Sequence, residues 1–600
     1  MKSVIFGAGV NAQKTIKLLG KENISYIVDN DIKKDGIKID EIPVYYFEKK
    51  KDEILKYHIV ISVSQKYVQE IIQQLITEGV TSFETIFDIQ KRITRRKIET
   101  RTDYLKIYHK AIEWIKLNSI KDKGIICNTD LTLPYPEVSG YYIPTLLNYG
   151  YRDLALQYAK WLCSIQKEDG SWYDTTDTAP YVFDTAQILK GLIAIRDILP
   201  KVDENICRGC DWILSNMQDS GRITTPDMSA WGTERTCSEI IHLYCLSPLK
   251  EAGKILERHD YIDAAYKILN YYKNQKNDEI MNFGLLSHFY AYVMEALVDM
   301  GEIETATEAM GKIQELQDEK GMVPAYKDVN WVCSTGLFQF ALVWYRLGNV
   351  VCGNKAFEYA CKLQNESGGW YGSYLTEKSK DEDNDYFPVS EISWAVKYFL
   401  DALYYKNITE FNLDASNFLD HIDKNDGRYI CIKEAVHTNK SLKILDVGCG
   451  KGRYLKNLVI DEPQNQYFAI DISESVMSEI EGISKSFGTL TNIPFKENYF
   501  DIVYTCEALE HAIDIKSAIR EMIRVTKPNG KIIIVDKNKD MLGILEIEDW
   551  EQWFDVKELS EIIKEYCNEV QVEENISYGE KKDGLFCAWI GKKKVFNQEC

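Results

Sequence analysis

The chain has 600 residues, of which 45% are hydrophobic and 27% charged, and a formal net charge of −20. That length is too great for one core and predicts three or four domains, while the acidic balance argues against nucleic acid, whose binding needs a basic surface. No apolar run reaches the roughly 20 residues that span a bilayer, MKSVIFGAGV lacks a signal-peptide layout, and of the fifteen cysteines only Cys207 and Cys210 stand in CxxC spacing, with no second ligand pair near them, so a cytoplasmic protein with reduced thiols and no metal framework is expected.

Residues 1–97 alternate strand and helix patterns. KSVIFGAG is a short buried strand and a tight turn, QKTIKLL a helix, ISYIVDND a second strand ending in Asp29, YHIVISVS a further strand and VQEIIQQLITEG an amphipathic helix closed by Gly79. This order predicts a parallel, doubly wound sheet. Gly7 and Gly9 let a pyrophosphate approach a helix N-terminus, and Asp29, twenty residues after Gly9, suits a ribose hydroxyl. The third glycine of that fingerprint is Ala12, and a hundred residues is half a dinucleotide fold. On VIFGAG, YIVDND and IPVYYFEK the segment resembles the small Rossmann-like module at the ends of bacterial sugar-modifying and surface-polysaccharide enzymes. The resemblance leaves two roles open, a nucleotide or nucleotide-sugar site and a docking module with a vestigial turn. The basic run KRITRR (91–96) reads as a solvated interdomain helix.

Residues 98–408 repeat. YAKWLCSIQKEDGSWYD (158–174) and YACKLQNESGGWYGSY (359–374) are one unit, and weaker copies begin at 111, 209, 268 and 310. Each copy is a helix ending in a polar turn, often with Gln then Gly, followed by a second apolar helix. Six such hairpins predict a closed (α/α)6 toroid, because one hairpin cannot bury its apolar face alone. The Gln…Gly-x-Trp turns look like those of terpene cyclase and prenyltransferase toroids, and similar rings carry polysaccharide lyases, glycoside hydrolases and sugar epimerases. The resemblance implies chemistry where the inner helices begin. Glu137, Asp184, Glu234, Arg235, Glu239, His288, Trp331 and Glu391 stand there, with Trp172, Tyr181, Trp231, Trp370 and Tyr386 nearby. Carboxylates and flat rings suit a sugar, yet acids near helix starts are also favoured by the helix dipole. Catalysis, glycan binding and scaffolding all stay open. No Asp-x-Asp-Asp motif appears, and DEDND (381–385) reads as a solvated loop.

Residues 409–600 return to strand–helix alternation. SLKILDVGCGKGRYLKNL is strand, glycine turn and helix; QYFAIDIS is a second strand ending at Asp471; GTLTNIPF follows a third; FDIVYTCEALEH is a fourth with its loop; AIREMIRVTKPNGKIIIVD is helix, turn and fifth strand. This order strongly resembles class I S-adenosylmethionine-dependent methyltransferases, over about residues 440–595. The resemblance implies that Gly448 and Gly450 wall the methionine part of the cofactor, that Asp446 lies near its amino group, that Asp471 accepts the ribose hydroxyls and that Ile472 flanks the adenine. Thr489 stands where the family often has an acid at the adenine edge, with Asn492 as a helper. Glu507 faces the cofactor region, and His511 is the best-placed base, or else it packs and gates the mouth. Trp550 and Trp553, in EIEDWEQWF, are candidates to cover substrate, with ordinary core packing the role expected of at least one of them. These cofactor motifs are complete without the repeat.

The expected architecture is therefore multidomain: an α/β Rossmann-like module (1–97), an all-α toroid (98–408) and an α/β methyltransferase (409–600). The expected activity is methyl transfer to a sugar or glycan precursor in surface-polysaccharide biosynthesis, beside other enzymes of that process. Two alternatives remain: a toroid that epimerises, eliminates or hydrolyses a sugar, and a toroid that only delivers a protein or other acceptor.

Overall fold

The computed structural model describes all residues except 1, 101–102, 231–234, 380–382, 439, 546, 549–550 and 596–600. Glu234, Trp231 and Trp550 therefore lie outside the described residues. The chain divides into two compact units, one of residues 1–101, 537–556 and 583–585 and one of the rest.

In the first unit a six-stranded sheet runs in the order Lys38–Ile39, Ile42–Tyr46, Ile24–Asp29, Ser3–Phe6, His58–Ile61 and Phe83–Thr85. Its pairings are parallel except for the short Lys38–Ile39 hairpin arm. Successive residues of Ser3–Phe6 point to opposite faces, and both faces are buried. Val4 and Phe6 pack with Val28, Ile59 and Ile61, while Ile5 packs with Ile16, Ile27 and Val44. Unbroken apolar strands thus reflect cover on both sides. The helix Ile86–Thr100 continues past the expected boundary at 97. Segment 537–556 joins this unit: Lys97 Nζ donates to the Ile547 carbonyl at 2.7 Å, and a Cβ on Gly543 would lie 2.5 Å from Lys91 Cα. Of the two candidate cover residues in EIEDWEQWF, Trp550 lies outside the described residues. Trp553 is buried and its Nε1 donates to Glu551 at 2.7 Å, a packing role.

In the second unit all six repeat copies lie on helices: Tyr104–Asn118, Arg152–Ile165, Asp203–Ser215, His259–Gln275, Ile303–Gln314 and Val350–Cys361. These bury one face. The helices that follow them are Pro136–Asn148, Val182–Ala194, Leu246–Ile255, Ser287–Met300, Ser334–Arg346 and Ser393–Asp414, and all of these but Leu246–Ile255 and Ser393–Asp414 are buried nearly all round, as inner elements are. Each inner helix packs on the next, and Ser393–Asp414 packs back on Pro136–Asn148.

The repeat turn has a structural explanation. Trp172 Nε1 donates to the Leu162 carbonyl and Trp370 Nε1 to the Ala360 carbonyl, both at 2.8 Å and both buried. Gln166 and Gln364 each donate to the carbonyl of the turn glycine and to a carbonyl of the next outer helix (Asn205 and Ile107). Gly170 and Gly368 have φ of 96° and 100°, and a Cβ on either would come within 2.2 Å of a neighbouring carbonyl oxygen. The conserved spacing inside the chain thus pins each hairpin to its neighbour, which assigns Trp172 and Trp370 to packing.

The C-terminal sheet has seven strands in the order Ser484–Phe487, Gln466–Asp471, Lys443–Val447, Phe500–Cys506, Thr526–Lys537, Lys581–Lys593 and Cys567–Tyr578. The first five are parallel, and the last two pair antiparallel. Its order reverses beside Lys443–Val447, the place where open α/β sheets bind ligands. The helix Ser393–Asp414 spans 22 residues and runs through the expected boundary at 408/409. That boundary moves to the end of this helix, because the helical run YYKNITEFNLD continues the repeat.

Candidate functional site

The turn after Lys443–Val447 is bent back onto the neighbouring strand. Gly448 and Cys449 both donate their N–H to the Ile470 carbonyl, at 2.9 and 3.0 Å. Gly448, Gly450 and Gly452 have φ of 76°, 54° and 73°, a region costly for any residue with a Cβ. Asp471, at the end of the next strand, fixes this turn: one oxygen accepts the Gly450 N–H at 2.9 Å and the other the Ser473 N–H at 3.0 Å. Burial pushes its carboxyl up against these bonds.

The cleft beyond the turn is lined by Gly448, Asp471, Ile472, Thr489, Glu507 and His511. Five of the expected cofactor residues and both expected catalytic residues fall within this set. Gly450 supports it from behind through Asp471. Asp446 and Asn492 do not line it. Asp446 is buried under the turn, accepts from the Tyr504 hydroxyl at 2.7 Å and is pushed up to about 7 by burial. Asn492 pairs its backbone with Thr489 and directs its amide to Asn148 Oδ1 at 3.5 Å. Glu507 sits at φ 55° and accepts from Arg428 at 2.7 Å and from Arg453. Its carboxylate is committed to two arginines, which suits holding the wall rather than moving a proton. The His511 ring meets Phe411 edge-on at 5.2 Å and stands 3.5 Å from Glu510.

The rest of the wall comes from the helical segment, and nothing in the sequence pattern announces it. Tyr149, Tyr404, Asn407 and Phe411 line the same cleft. Positions 404, 407 and 411 recur at helical spacing on one face of Ser393–Asp414. Polar contacts join the helical segment to the loops of the C-terminal sheet. Ser473 Oγ donates to Asn412 Oδ1 at 2.6 Å, Thr491 Oγ1 to the Asn148 carbonyl at 2.6 Å, and the Tyr151 and Tyr108 hydroxyls to Asp514 at 2.9 and 3.2 Å. The cleft wall thus includes Tyr149, Tyr404 and Asn407, which lie before residue 409, beside the expected motifs. Oδ1 of Asn407 is buried with no hydrogen-bond partner among the described residues. An unpaired buried acceptor in a cleft wall, opposite a carboxylate with free lone pairs, fits a ligand that carries hydroxyl and amino donors.

At the N-terminal turn, Gly7 has φ of 114°, and Gly9 has open space around its Cα. Asp29 Oδ2 accepts the Ala8 N–H at 2.7 Å and Oδ1 the Asp31 N–H at 2.8 Å, and Lys34 pairs with it at 2.9 Å. Burial raises its carboxyl, but these bonds outweigh burial and hold it below the ordinary value. Asp29 here shapes the glycine turn itself.

At the heads of the inner helices, Glu137, Asp184 and His288 line one cavity of 240 Å³ with Tyr141, Tyr386 and Trp394. Glu239 and Glu391 do not reach it. Glu239 pairs with Arg222 at 2.8 Å and Lys276 at 3.7 Å. Glu391 accepts from Trp114 at 2.7 Å, Asn365 at 2.8 Å and Ser367. Arg235 pairs with Asp328 at 2.7 Å, and Trp331 packs with Tyr326 and Leu286.

Residues 445–534 match a protein-family model described as a methyltransferase domain. Norajmaline N-methyltransferase of Rauvolfia serpentina is 33% identical over 108 residues, which cover 16% of this chain and 37% of that protein. The 24-methylenesterol C-methyltransferase 3 of Arabidopsis thaliana is 29% identical over 226 residues, which cover 34% of this chain and 61% of that protein. A solved structure of phosphoethanolamine N-methyltransferase 2 of Haemonchus contortus with S-adenosyl-L-methionine is 13% identical. It covers 33% of this chain and 59% of that chain, with a TM-score of 0.25. The chain spans less than two thirds of the length of each of these proteins. Residues 445–534 are thus similar to methyltransferase domains.

Proposed function

We propose that the whole chain transfers a methyl group from S-adenosylmethionine to a sugar or glycan precursor, in bacterial surface-polysaccharide biosynthesis. The observation that carries the methyl-transfer reading is the cleft at the glycine turn, where Gly448 and Asp471 face a wall supplied by the helical segment. When bound, S-adenosylmethionine supplies an electrophilic methyl group on a sulfonium. Gly448 lets the backbone approach it, and Asp471 accepts the ribose hydroxyls with the lone pairs that the turn leaves free. Tyr149, Tyr404 and Phe411 keep water from the reacting atoms. His511, at the cleft wall, takes the proton of an acceptor hydroxyl. Most of the rate then comes from holding acceptor and donor in line.

The sugar assignment draws on the resemblance of residues 1–97 to modules of surface-glycan enzymes and on the aromatic residues of the helical segment. That segment reads as an (α/α)6 toroid, supported by six hairpins whose inner helices pack in series and return to the first. A nucleotide at Gly7, Gly9 and Asp29 belongs to the same proposal. A second reading, in which the ring itself acts on a sugar, draws on Glu137 and Asp184 facing one cavity.

The test incubates the full chain with isotopically methyl-labelled S-adenosylmethionine and a panel of nucleotide sugars and lipid-linked glycans, and reads the products by mass spectrometry. Label on one glycan is expected. Label on a protein or lipid alone would sink the sugar assignment and keep methyl transfer.

A further inference from the structure

The cavity at the heads of the inner helices holds chemistry that methyl transfer does not use. Glu137 is 8% exposed and faces the cavity. The side-chain bonds and ion pairs of the described residues leave its carboxylate without a partner. Asp184, 7% exposed, has one weak bond there, from the Tyr135 hydroxyl at 3.3 Å. Both acids stand in the first turns of helices that pack on each other, Pro136–Asn148 and Val182–Ala194, and neither helix has a side-chain cap bond. The helix dipole favours an acid there. It does not explain why both are buried and adjacent with one weak bond, from Tyr135, for the pair, an arrangement that costs stability unless the acids take up protons or a cationic ligand draws those protons off. Burial and the neighbouring Asp184 both push the Glu137 carboxyl up, and burial pushes Asp184 up to about 7.

The lining supplies no counter-charge. No Lys or Arg is in it among the described residues. His288 points Nδ1 at Gln339 Oε1 at 2.7 Å, and burial pushes it down to about 3, so it is neutral. The nearest cation to act on Glu137, Lys397, is paired with Asp401 at 2.8 Å and lines a different cavity. The remaining wall is largely aromatic, with Phe183, Tyr292, Tyr386 and Trp394 in it beside Tyr141, whose ring already carries Lys397 Nζ at 4.9 Å. Ring faces and unpaired carboxylates attract the same partner, a desolvated positive charge.

We infer that this cavity binds an organic ammonium group, seated against the aromatic faces with Glu137 and Asp184 as its counter-ions. The site is independent of the methyl-transfer cleft. It takes an amine or quaternary ammonium, alone or carried on a larger molecule such as an amino sugar.

The test is a ligand-observed NMR titration of the full chain, at pH 7 and constant ionic strength, with S-adenosylhomocysteine present to fill the cleft. The probes are tetramethylammonium, tert-butanol as its neutral counterpart, and glucose. Tetramethylammonium should bind at least about tenfold tighter than either neutral probe, the effect of one lost charge interaction of modest size. Glu137→Gln with Asp184→Asn should remove that preference, and Tyr386→Leu should weaken it with both acids in place. Equal affinity for tert-butanol, tighter binding of glucose, or a preference that survives the double substitution would overturn the inference. The comparison of probes on the unaltered chain decides the matter even if a variant fails to fold.

Discussion

Asp471→Ala should weaken binding of S-adenosylmethionine by about 100-fold or more, and Thr489→Ala by less than about tenfold. A carboxylate has roughly four lone-pair positions. In Asp471 two are spent on the Gly450 and Ser473 N–H groups, at 2.9 and 3.0 Å, and the residue lines the cleft with the rest. Two ribose hydroxyl bonds to an ionised acceptor are worth about 1.5–3 kcal/mol each. The substitution also releases the turn, so the loss should exceed those two bonds. Thr489 is differently placed. Its hydroxyl lies 3.3 Å from that of Thr491, which donates onward to the Asn148 carbonyl. It offers the ligand one neutral bond, worth about 1 kcal/mol. Asp471→Asn should fall between the two. Calorimetric titration of the three variants measures the difference, and equal losses at 471 and 489 would mean that Asp471 serves the turn alone.

Gly448→Ala should be far more damaging than Gly450→Ala, although the two glycines are neighbours in one turn. Both need the left-handed region, at φ 76° and 54°, which costs a residue with a Cβ about 1–2 kcal/mol. Only Gly448 adds a collision, since its Cβ would lie 2.4 Å from the Ala508 Cβ. At Gly450 the nearest atom is Phe418 Cδ1 at 3.6 Å, ordinary contact. Gly448→Ala must therefore move the turn or the Ala508 loop, and both line the cleft. The expected result is a loss of cofactor affinity beyond about 100-fold together with a lowered melting temperature, against about tenfold for Gly450→Ala. Thermal unfolding and calorimetry on both variants read this out. Matching losses would place the strain, and not the close approach, in control.

The parts of this chain that repeat a local rule were legible from sequence. Asp471 follows a strand and Gly448 begins a turn, so their neighbours along the chain announce them. The six hairpins were legible for a related reason: the Gln…Gly-x-Trp turn must pin each outer helix to the next, and a Cβ at Gly170 or Gly368 would strike a carbonyl. Convergence in space was legible only in part. Glu137, Asp184 and His288 meet because each begins an inner helix, but Glu239 and Glu391 obey the same register and turn to Arg222 and Trp114 instead. Register gives the height of a side chain in the ring and not its direction. Asn407 and Tyr404 were invisible for a different reason. They sit beyond the last repeat turn on a helix whose spacing looks like ordinary packing, and only the meeting of that helix with the C-terminal sheet makes them part of a cleft. Trp553 shows the reverse, since its place in sequence suggested a substrate cover and its packing lies with residues 1–101.

The central claim is that one S-adenosylmethionine site is built jointly by the C-terminal sheet and the helix Ser393–Asp414. The measurement that tests it most directly is calorimetric titration of the full chain with S-adenosylhomocysteine, unaltered and as Asn407→Ala. One molecule should bind per chain, and the substitution should weaken binding about fivefold to tenfold, the value of one buried hydrogen bond to the now unpaired Oδ1. Folded full-length protein that gives no heat of binding would contradict the cofactor site. Binding that Asn407→Ala leaves unchanged would contradict the joint wall.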